Sequence, residues 1–546
     1  MAQQAGDPTL SVLSDESQRI DGRDARSMNL TAAQAMGEAV RTTLGPMGMD
    51  KMLVDSTGDT VVTNDGVTIL DEMEVEHPAA DMVVEVAQSQ EQAVGDGTTS
   101  AVILTSALLQ AAEELLDNDV HPTTVAAGFE QAGEHVEDVL DDVAMDLDVD
   151  DTDVLEAIAS TAMTGKGAES EKDHLTSLVV EAIRTAVRED GTVDRDAITI
   201  KPFAGGNLAD SRLVEGVTID KNPANDAMPS DFEDANVLIY EGAIETPELE
   251  TSTETTVSNF DDVTEYVERE REALQEDVDR VLDTGVDVLL TEGGIDDPAQ
   301  ELLAEAGVMA LRRVDDEDRR RLAEATGASR VSDLETATAA DLGEAGTVGQ
   351  ERIRMPLWRG DARPERITSF TDVDSVAGTI VLRGGTDHVV DEVERALEDS
   401  LDVLAAAIED GEILPGAGAV EIELALALED AADGIGGREQ LAVEAFADAL
   451  DISPRTLAEN AGHSPIDALV DLRARHHDGD STAGVDAETG ALIDAVEHGV
   501  VEPRRVKATA IDAAIEAARM ILRIDDVVSA GDLSTSGDDD GGAPGM

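Results

Sequence analysis

Gly95-Asp96-Gly97-Thr98-Thr99-Ser100 is the stretch on which the reading of this chain turns. Upstream of it, Met82, Val83, Val86 and Ala93 recur at helical spacing, and downstream residues 100–116 read as a second, mostly apolar helix. The glycines therefore lie between two helices, with Thr98 or Thr99 placed to cap the second. The first turn of that helix offers backbone N–H groups and the positive end of its dipole, which together form a seat for phosphate. Glycine lets the backbone approach a ligand closely. Asp96 would repel bound phosphates unless a cation lay between them, so it suggests a magnesium ligand. The segment is not a P-loop, because no Gly-Lys-Ser/Thr follows and no strand precedes it. A flexible connector ahead of a capped helix is the plain alternative for the same six residues.

Composition narrows the classes. A chain of 546 residues has room for about three or four domains. Asp and Glu number 121 against 38 Lys and Arg, a net charge of −83. No basic stripe is present, which argues against nucleic acid as a partner. Disorder would pair such charge with low hydrophobicity, but the chain is 41% hydrophobic and helical periodicity runs through nearly all of it. The charge instead reads as a solvation trait of a salt-loving organism, since at 1 M salt the Debye length falls to about 3 Å and surface repulsion is screened. Only six lysines remain, at 51, 166, 172, 201, 221 and 507. With no cysteine there is no disulfide framework and no thiolate chemistry. Neither a signal-peptide pattern nor an apolar run of about 18 residues appears, so a cytoplasmic protein with no membrane partner is expected.

In chain order, residues 1–28 read as polar and irregular, and 29–43 as a helix stopped by Gly45 and Pro46. Short strands are expected at 51–55, 59–64 and 67–70, with a tight turn at Asn64-Asp65-Gly66. Asp65 is, on this pattern, a turn residue. Helices dominate to about 150, and one at 151–163 ends in Thr164-Gly165-Lys166-Gly167. The glycines beside Lys166 allow an anion close approach, although a basic residue at a helix C-terminus complements the dipole without one. From about 212 to 375 short strands (237–240, 286–290, 308–314) alternate with helices (298–306, 315–326), an α/β module. Residues 245–259 are rich in Thr and Glu, and a charged helix with a thin apolar stripe follows at about 261–283. The helix at 387–409 carries Val389, Val393, Leu397, Leu401 and Leu404 on one stripe. Asp399 lies about 200° around from Leu397, so periodicity makes it a solvated acid. Helices continue to about 475, strands and turns fill 485–500, a closing helix spans 504–530, and the Gly- and Asp-rich 531–546 reads as disordered. Helical segments at both ends thus flank an α/β insertion, and the simplest architecture is nested, with the two termini sharing one helical domain.

Taken together, the motifs identify a family. They are Thr43-Leu44-Gly45-Pro46 with Gly48-Met49-Asp50-Lys51-Met52-Leu53-Val54-Asp55, Thr63-Asn64-Asp65-Gly66, Gly95-Asp96-Gly97-Thr98-Thr99 and Thr164-Gly165-Lys166-Gly167. Further on come Leu382-Arg383-Gly384-Gly385-Thr386, Glu394-Arg395 with Asp399, residues 462–472, Val500-Val501-Glu502-Pro503-Arg504 and Ile521-Leu522-Arg523-Ile524-Asp525-Asp526. Over nearly its whole length the chain resembles the group II chaperonins, and most of all the archaeal thermosome subunits, here with a halophile's composition.

The resemblance implies a multidomain, mainly α chaperonin fold with an α/β apical domain. An equatorial domain would take 1–150 and 408–530, an intermediate hinge 151–213 and 373–407, and an apical domain 214–372, with a lid protrusion at about 245–280 and a disordered tail at 531–546. It implies ATP and Mg2+ as cofactors, with K+ as an optional further cation. Unfolded proteins would be the clients, and the assembly a double ring of this chain with itself or paralogues, needing no separate lid co-chaperonin. Asp96 matches the magnesium ligand, and Gly97, Thr98, Thr99 and Ser100 the phosphate wrap. Leu44, Gly45 and Pro46 match the floor of the nucleotide site, Gly416 and Ala417 part of its wall, and Glu497 an acid near ribose and adenine. Asp65 and Asp399 match the acids that activate the attacking water, Asp399 arriving with the hinge, and Lys166 matches the sensor of the γ-phosphate. Two departures stand out. Met47 replaces a common lysine, and Ala417 interrupts a triple glycine, at a cost on the order of 1 kcal/mol if that position needs positive φ. A plain ATPase sharing the nucleotide site, or a subunit that hydrolyses ATP poorly, are the rival readings. The apical segment argues against the first, and the presence of both acids against the second.

Overall fold

The computed structural model describes residues 19–54, 58, 60–188, 190–246, 260–353 and 365–528. Of the expected lid, 247–259 lies outside these residues, as does the tail at 531–546. The chain divides into two compact units, one made of 1–144, 414–500 and 504–546, the other of 145–413 and 501–503.

The first unit is helical. Gly22–Arg41, Pro78–Val94, Thr98–Asp117, Pro122–Val143, Ala419–Ala432, Glu439–Leu450 and Arg504–Leu522 surround one core. Leu108, Leu109, Phe129, Leu140 and Phe446 are fully buried in it. The Phe129 and Phe446 rings meet edge to face at 5.7 Å and 72°, the geometry their quadrupoles favour. The last helix stops at Leu522, and Asp526–Val528 then pairs antiparallel with Arg19–Asp21. The closing helix is thus shorter than periodicity predicts, and the N-terminal helix starts at Gly22, well inside the stretch read as irregular. Lys51–Val54 and Thr60–Thr63 form an antiparallel hairpin. Residues 67–70, read as a strand, belong instead to the helix Gly66–Asp71. The β-branched run Val67-Thr68-Ile69 favours a strand locally, but Asp65 caps the segment as a helix, its Oδ2 accepting from the Thr68 N–H at 2.9 Å, and Ile69 and Leu70 are buried in the core.

Among the described residues the second unit includes a three-stranded and a seven-stranded sheet. Gly378–Gly384 lies between Ile198–Ala204, parallel to it, and Arg212–Val214, antiparallel. Helices Thr152–Ala162, Lys172–Ala186 and Asp387–Asp410 accompany this sheet. A seven-stranded sheet runs Met309–Leu311, Val288–Thr291, Asp231–Tyr240, Gly343–Ile353, Glu365–Thr371, Gly216–Ile219, with Arg330–Val331 also pairing with Asp231–Tyr240. Its parallel strands are apolar on both faces. Val237, Ile239, Val288 and Leu290 pack into one cluster, while Leu238, Leu289 and Ala310 pack into another beneath helix Asp297–Glu305, as parallel strands buried on both sides require. The thin apolar stripe of the charged helix Phe260–Asp283 is used in its C-terminal half, where Leu274, Val278 and Val281 are buried in the second cluster.

Candidate functional site

Helix Pro78–Val94 ends at Gly95 in the left-handed conformation, with φ of 71°. Two residues later Gly97, at φ 80°, is the N-cap of Thr98–Asp117. Neither Thr98 nor Thr99 caps that helix, and no side chain does. The left-handed turn at Gly97 brings Thr98 directly into the helix, so the first-turn N–H groups precede the first internal bond, from Ala101 N–H to the Gly97 carbonyl at 2.9 Å. A Cβ at Gly97 would lie 2.9 Å from both Gln90 Nε2 and Val506 Cγ1.

The Asp65 turn is lodged against this loop. A Cβ on Gly66 would come within 2.4 Å of Thr99 Oγ1 and 3.2 Å of Thr98 Oγ1. The Asp65 carboxylate also accepts from the Thr68 hydroxyl at 2.6 Å, so its orientation is held. Two motifs about thirty residues apart in the chain are thereby neighbours.

A second group gathers around helix Ile452–Asn460. The Asn460 amide donates to the Leu44 carbonyl at 2.9 Å and the Arg41 carbonyl at 3.2 Å, holding the turn that contains Leu44, Gly45 and Pro46. Gly45 is left-handed, and a Cβ there would meet Leu457 Cδ2 at 2.6 Å. Gly418 is the uncapped N-terminus of helix Ala419–Ala432 and packs on Pro454. Gly416 N–H donates to the Val500 carbonyl at 2.9 Å, and the Ala417 carbonyl accepts from Val485 N–H at 2.9 Å. Ala417 has φ of +57°, so alanine sits in the strained region the triple glycine would have relieved. Glu497 lies exposed in the turn after Leu492–Asp494, its N–H on Asp494 Oδ1 at 3.0 Å. That bond, with the Thr482 hydroxyl, holds the Asp494 carboxyl below its usual range.

Beneath these loops lies an ion pair the sequence does not announce. Lys507 Nζ is 2.8 Å from Glu421 Oε1, and the two side chains are 8% and 7% exposed. Burial pushes the Glu421 carboxyl up, but the Lys507 ammonium more than offsets it, so the group titrates below its usual range.

Lys166 and Asp399 belong to the second unit and are paired with each other, Nζ to Oδ2 at 2.6 Å. Asp399 is 7% exposed, which overturns its reading as a solvated acid. Helix Asp387–Asp410 is buried on more than the one stripe, since Ala396, Ser400 and Val403 are covered as well, and the Ser400 hydroxyl donates to the Ala159 carbonyl at 3.0 Å. Lys166 stands in the glycine turn after helix Thr152–Ala162. Gly165 and Gly167 are both left-handed, and a Cβ on Gly167 would come within 2.8 Å of the Glu392 carboxylate.

Elsewhere in this unit a cavity of about 400 Å³ is lined by Thr199, Lys201, Thr218, Asp318, Arg321 and Thr379 among others. Near it Asp220, Asp315 and Asp318 bring carboxylate oxygens within 4.8 Å of one another, the one such group among the described residues. Lys201 pairs with Asp318 at 2.8 Å and Lys221 approaches Asp315 at 3.6 Å, so the cluster carries its own countercharge.

The donor set around Gly95–Ser100 suits a metal–phosphate ligand: one carboxylate at Asp96, a second at Asp65, one uncapped helix N-terminus, and glycines where a Cβ would intrude. Periodicity and motif reading missed Gln90, Asn460 and the Lys507–Glu421 pair, whose partners lie far along the chain, apart from Asp96.

Known proteins share this chain's sequence over nearly its whole length. The model of the TCP-1/cpn60 chaperonin family matches residues 36–532. The chain is 54% identical to thermosome subunit alpha of Halobacterium salinarum over 543 residues, 99% of this chain and 95% of that one. It is 54% identical to thermosome subunit 1 of Haloferax volcanii over 546 residues, covering 99% and 96% of the two. Among solved structures, the open-state monomer of a group II chaperonin from Methanococcoides burtonii matches with a TM-score of 0.60 and 40% identity, over 79% of this chain and all of that one.

Proposed function

The chain belongs to the TCP-1/cpn60 chaperonin family, and we propose that it works as one subunit of an ATP-driven double-ring chaperonin that encloses unfolded proteins. The observation that carries the site reading is the Asp65 turn packed onto the Gly95–Ser100 loop, two acidic groups beside an uncapped helix N-terminus. In this reading the unit built from both chain ends binds ATP. Asp96 would hold a magnesium ion, which when bound would supply charge neutralisation at the phosphates. The amides of Thr98, Thr99 and Ser100 hold phosphate oxygens. The turn of Leu44, Gly45 and Pro46, together with Gly416 and Ala417, shapes the nucleotide pocket, and Glu497 stands for ribose and adenine. Asp65, its carboxylate fixed by Thr68, orients the attacking water.

Asp399 takes the proton of that water. As it stands, its carboxylate is occupied by the Lys166 ammonium. A γ-phosphate offers Lys166 a more highly charged partner, and transfer of the ammonium to phosphate releases Asp399 as the general base. Lys166 thus links the presence of the γ-phosphate to the availability of the Asp399 carboxylate. Residues 214–372 serve clients, with the lid insert at about 245–280 closing the chamber. The relatives' names distinguish subunits by letter or number, which favours rings that mix this chain with paralogues.

The test is Asp399→Ala. Hydrolysis should fall by more than about 100-fold, the scale of a lost general base, while ATP binding measured by calorimetry stays within about threefold. Persisting turnover would refute the role given to Asp399. Electron micrographs lacking stacked rings would refute the assembly.

A further inference from the structure

Gln90 is fully buried in the helix that ends at Gly95. A buried amide in a helix otherwise packed with alanine and valine is unfavourable unless its polar atoms are used. Gln90 Nε2 donates twice, to the Asp96 carbonyl at 2.7 Å and to the Val506 carbonyl at 3.0 Å. Both acceptors are carbonyls, so the orientation of the amide is settled: a flipped Gln90 would set oxygen against oxygen. Its Oε1 is left buried with no hydrogen-bond partner. The side chain therefore tolerates an unsatisfied acceptor in order to place its NH2 between two backbone segments. One of these is the residue that precedes the left-handed N-cap Gly97. The other is the first turn of helix Arg504–Leu522, next to the buried Lys507. Gly97 has no space for a Cβ because Gln90 Nε2 and Val506 Cγ1 both stand there.

We infer that Gln90 is a positioning residue for the metal–nucleotide site: it clamps the backbone of Asp96 so that the carboxylate and the N–H groups of Thr98 and Thr99 are presented together. Gln90 acts through Asp96, in the way that outer groups orient a metal ligand. The inference rests on the reading of Asp96 as the magnesium ligand.

The experiment uses the full-length protein in molar KCl. ATP binding is titrated against Mg2+ by calorimetry, and backbone hydrogen exchange over 95–100 is followed without nucleotide. In Gln90→Met, which keeps the volume and removes both donors, the Mg2+ concentration for half-maximal ATP binding should rise about tenfold, and exchange over 95–100 should quicken. Asp96→Ala should abolish the Mg2+ dependence. If Asp96→Ala shifts that dependence and Gln90→Met changes neither quantity, Gln90 has no positioning role. If Asp96→Ala leaves the Mg2+ dependence unaltered, the metal reading of Asp96 fails and this inference with it. Should the Met variant not assemble, Gln90→Glu, which sets a carboxylate against the two carbonyls, is expected to give the same shift, and an unshifted titration would overturn the proposal.

Discussion

Replacing Lys507 by Met tests how the core under the nucleotide loops is held. The side chain joins the first turn of helix Arg504–Leu522 to Glu421, in the first turn of the helix after Gly416-Ala417-Gly418. At 2.8 Å and an effective dielectric of about 20, the attraction is roughly 6 kcal/mol. Desolvating two ions offsets most of it, so the pair adds little net stability. Removing one partner differs, because Glu421 is then a buried carboxylate with no countercharge, a change that costs about 3–5 kcal/mol. Methionine nearly matches the lysine stem in volume, so a cavity contributes little. The pH dependence gives a second signature. In the parent the folded-state Glu421 pKa is depressed, so its contribution is present above the unfolded value of about 4.3 and lost as pH falls through the folded value. In the variant the Ser453 and backbone hydrogen bonds remain, but burial, the largest influence, raises the folded pKa. The folded state then holds the extra proton, and stability lost at pH 7 returns as pH falls toward about 4.3. Urea unfolding of the full-length protein in molar KCl, followed by circular dichroism at several pH values, reads both. The double variant Lys507→Met with Glu421→Gln should recover most of the loss. A loss below about 1 kcal/mol at pH 7, or a pH slope identical to the parent's, would refute the reasoning.

Ala417→Gly should stabilise the protein. The left-handed φ of +57° costs alanine roughly 1–2 kcal/mol, and the greater freedom of glycine in the unfolded chain takes back about 0.4–1 kcal/mol; a lowered thermal midpoint would count against this. Burial, with Glu398 and Asp391 alongside, raises the Glu394 carboxyl to about 7. A raised acid costs stability as pH climbs from the unfolded value to the folded one, so the parent should weaken between about pH 4.3 and 7. Glu394→Gln should flatten that slope in a series of thermal scans, and a parallel slope would argue that other groups set it.

Much was legible because it is local. Helical periodicity located Asp387–Asp410, Asp316–Thr326 and Asp297–Glu305 to within a residue or two. Tolerance of positive φ is a property of glycine itself, so glycines at 45, 95, 97, 165 and 167 could be read as turns and close approaches without any fold. Where local preference met a long-range contact, the contact prevailed. The β-branched 67–70 became helix once Asp65 capped it and the core took Ile69 and Leu70.

The sequence by itself determined the family, the pattern of elements and the chemical types gathered in each motif, since these follow from residue identity and short-range spacing. Only the tertiary structure decided which of those groups are partners. Asp399 lies opposite its helix's apolar stripe and is nonetheless buried, because a second surface of that helix is covered and a lysine 233 positions away meets its carboxylate. Gln90 reaching Val506, Asn460 reaching Leu44 and Lys507 reaching Glu421 are of the same kind. A polar side chain's surroundings depend on what the fold sets against it, and periodicity along one helix carries no term for a neighbour dozens or hundreds of residues away.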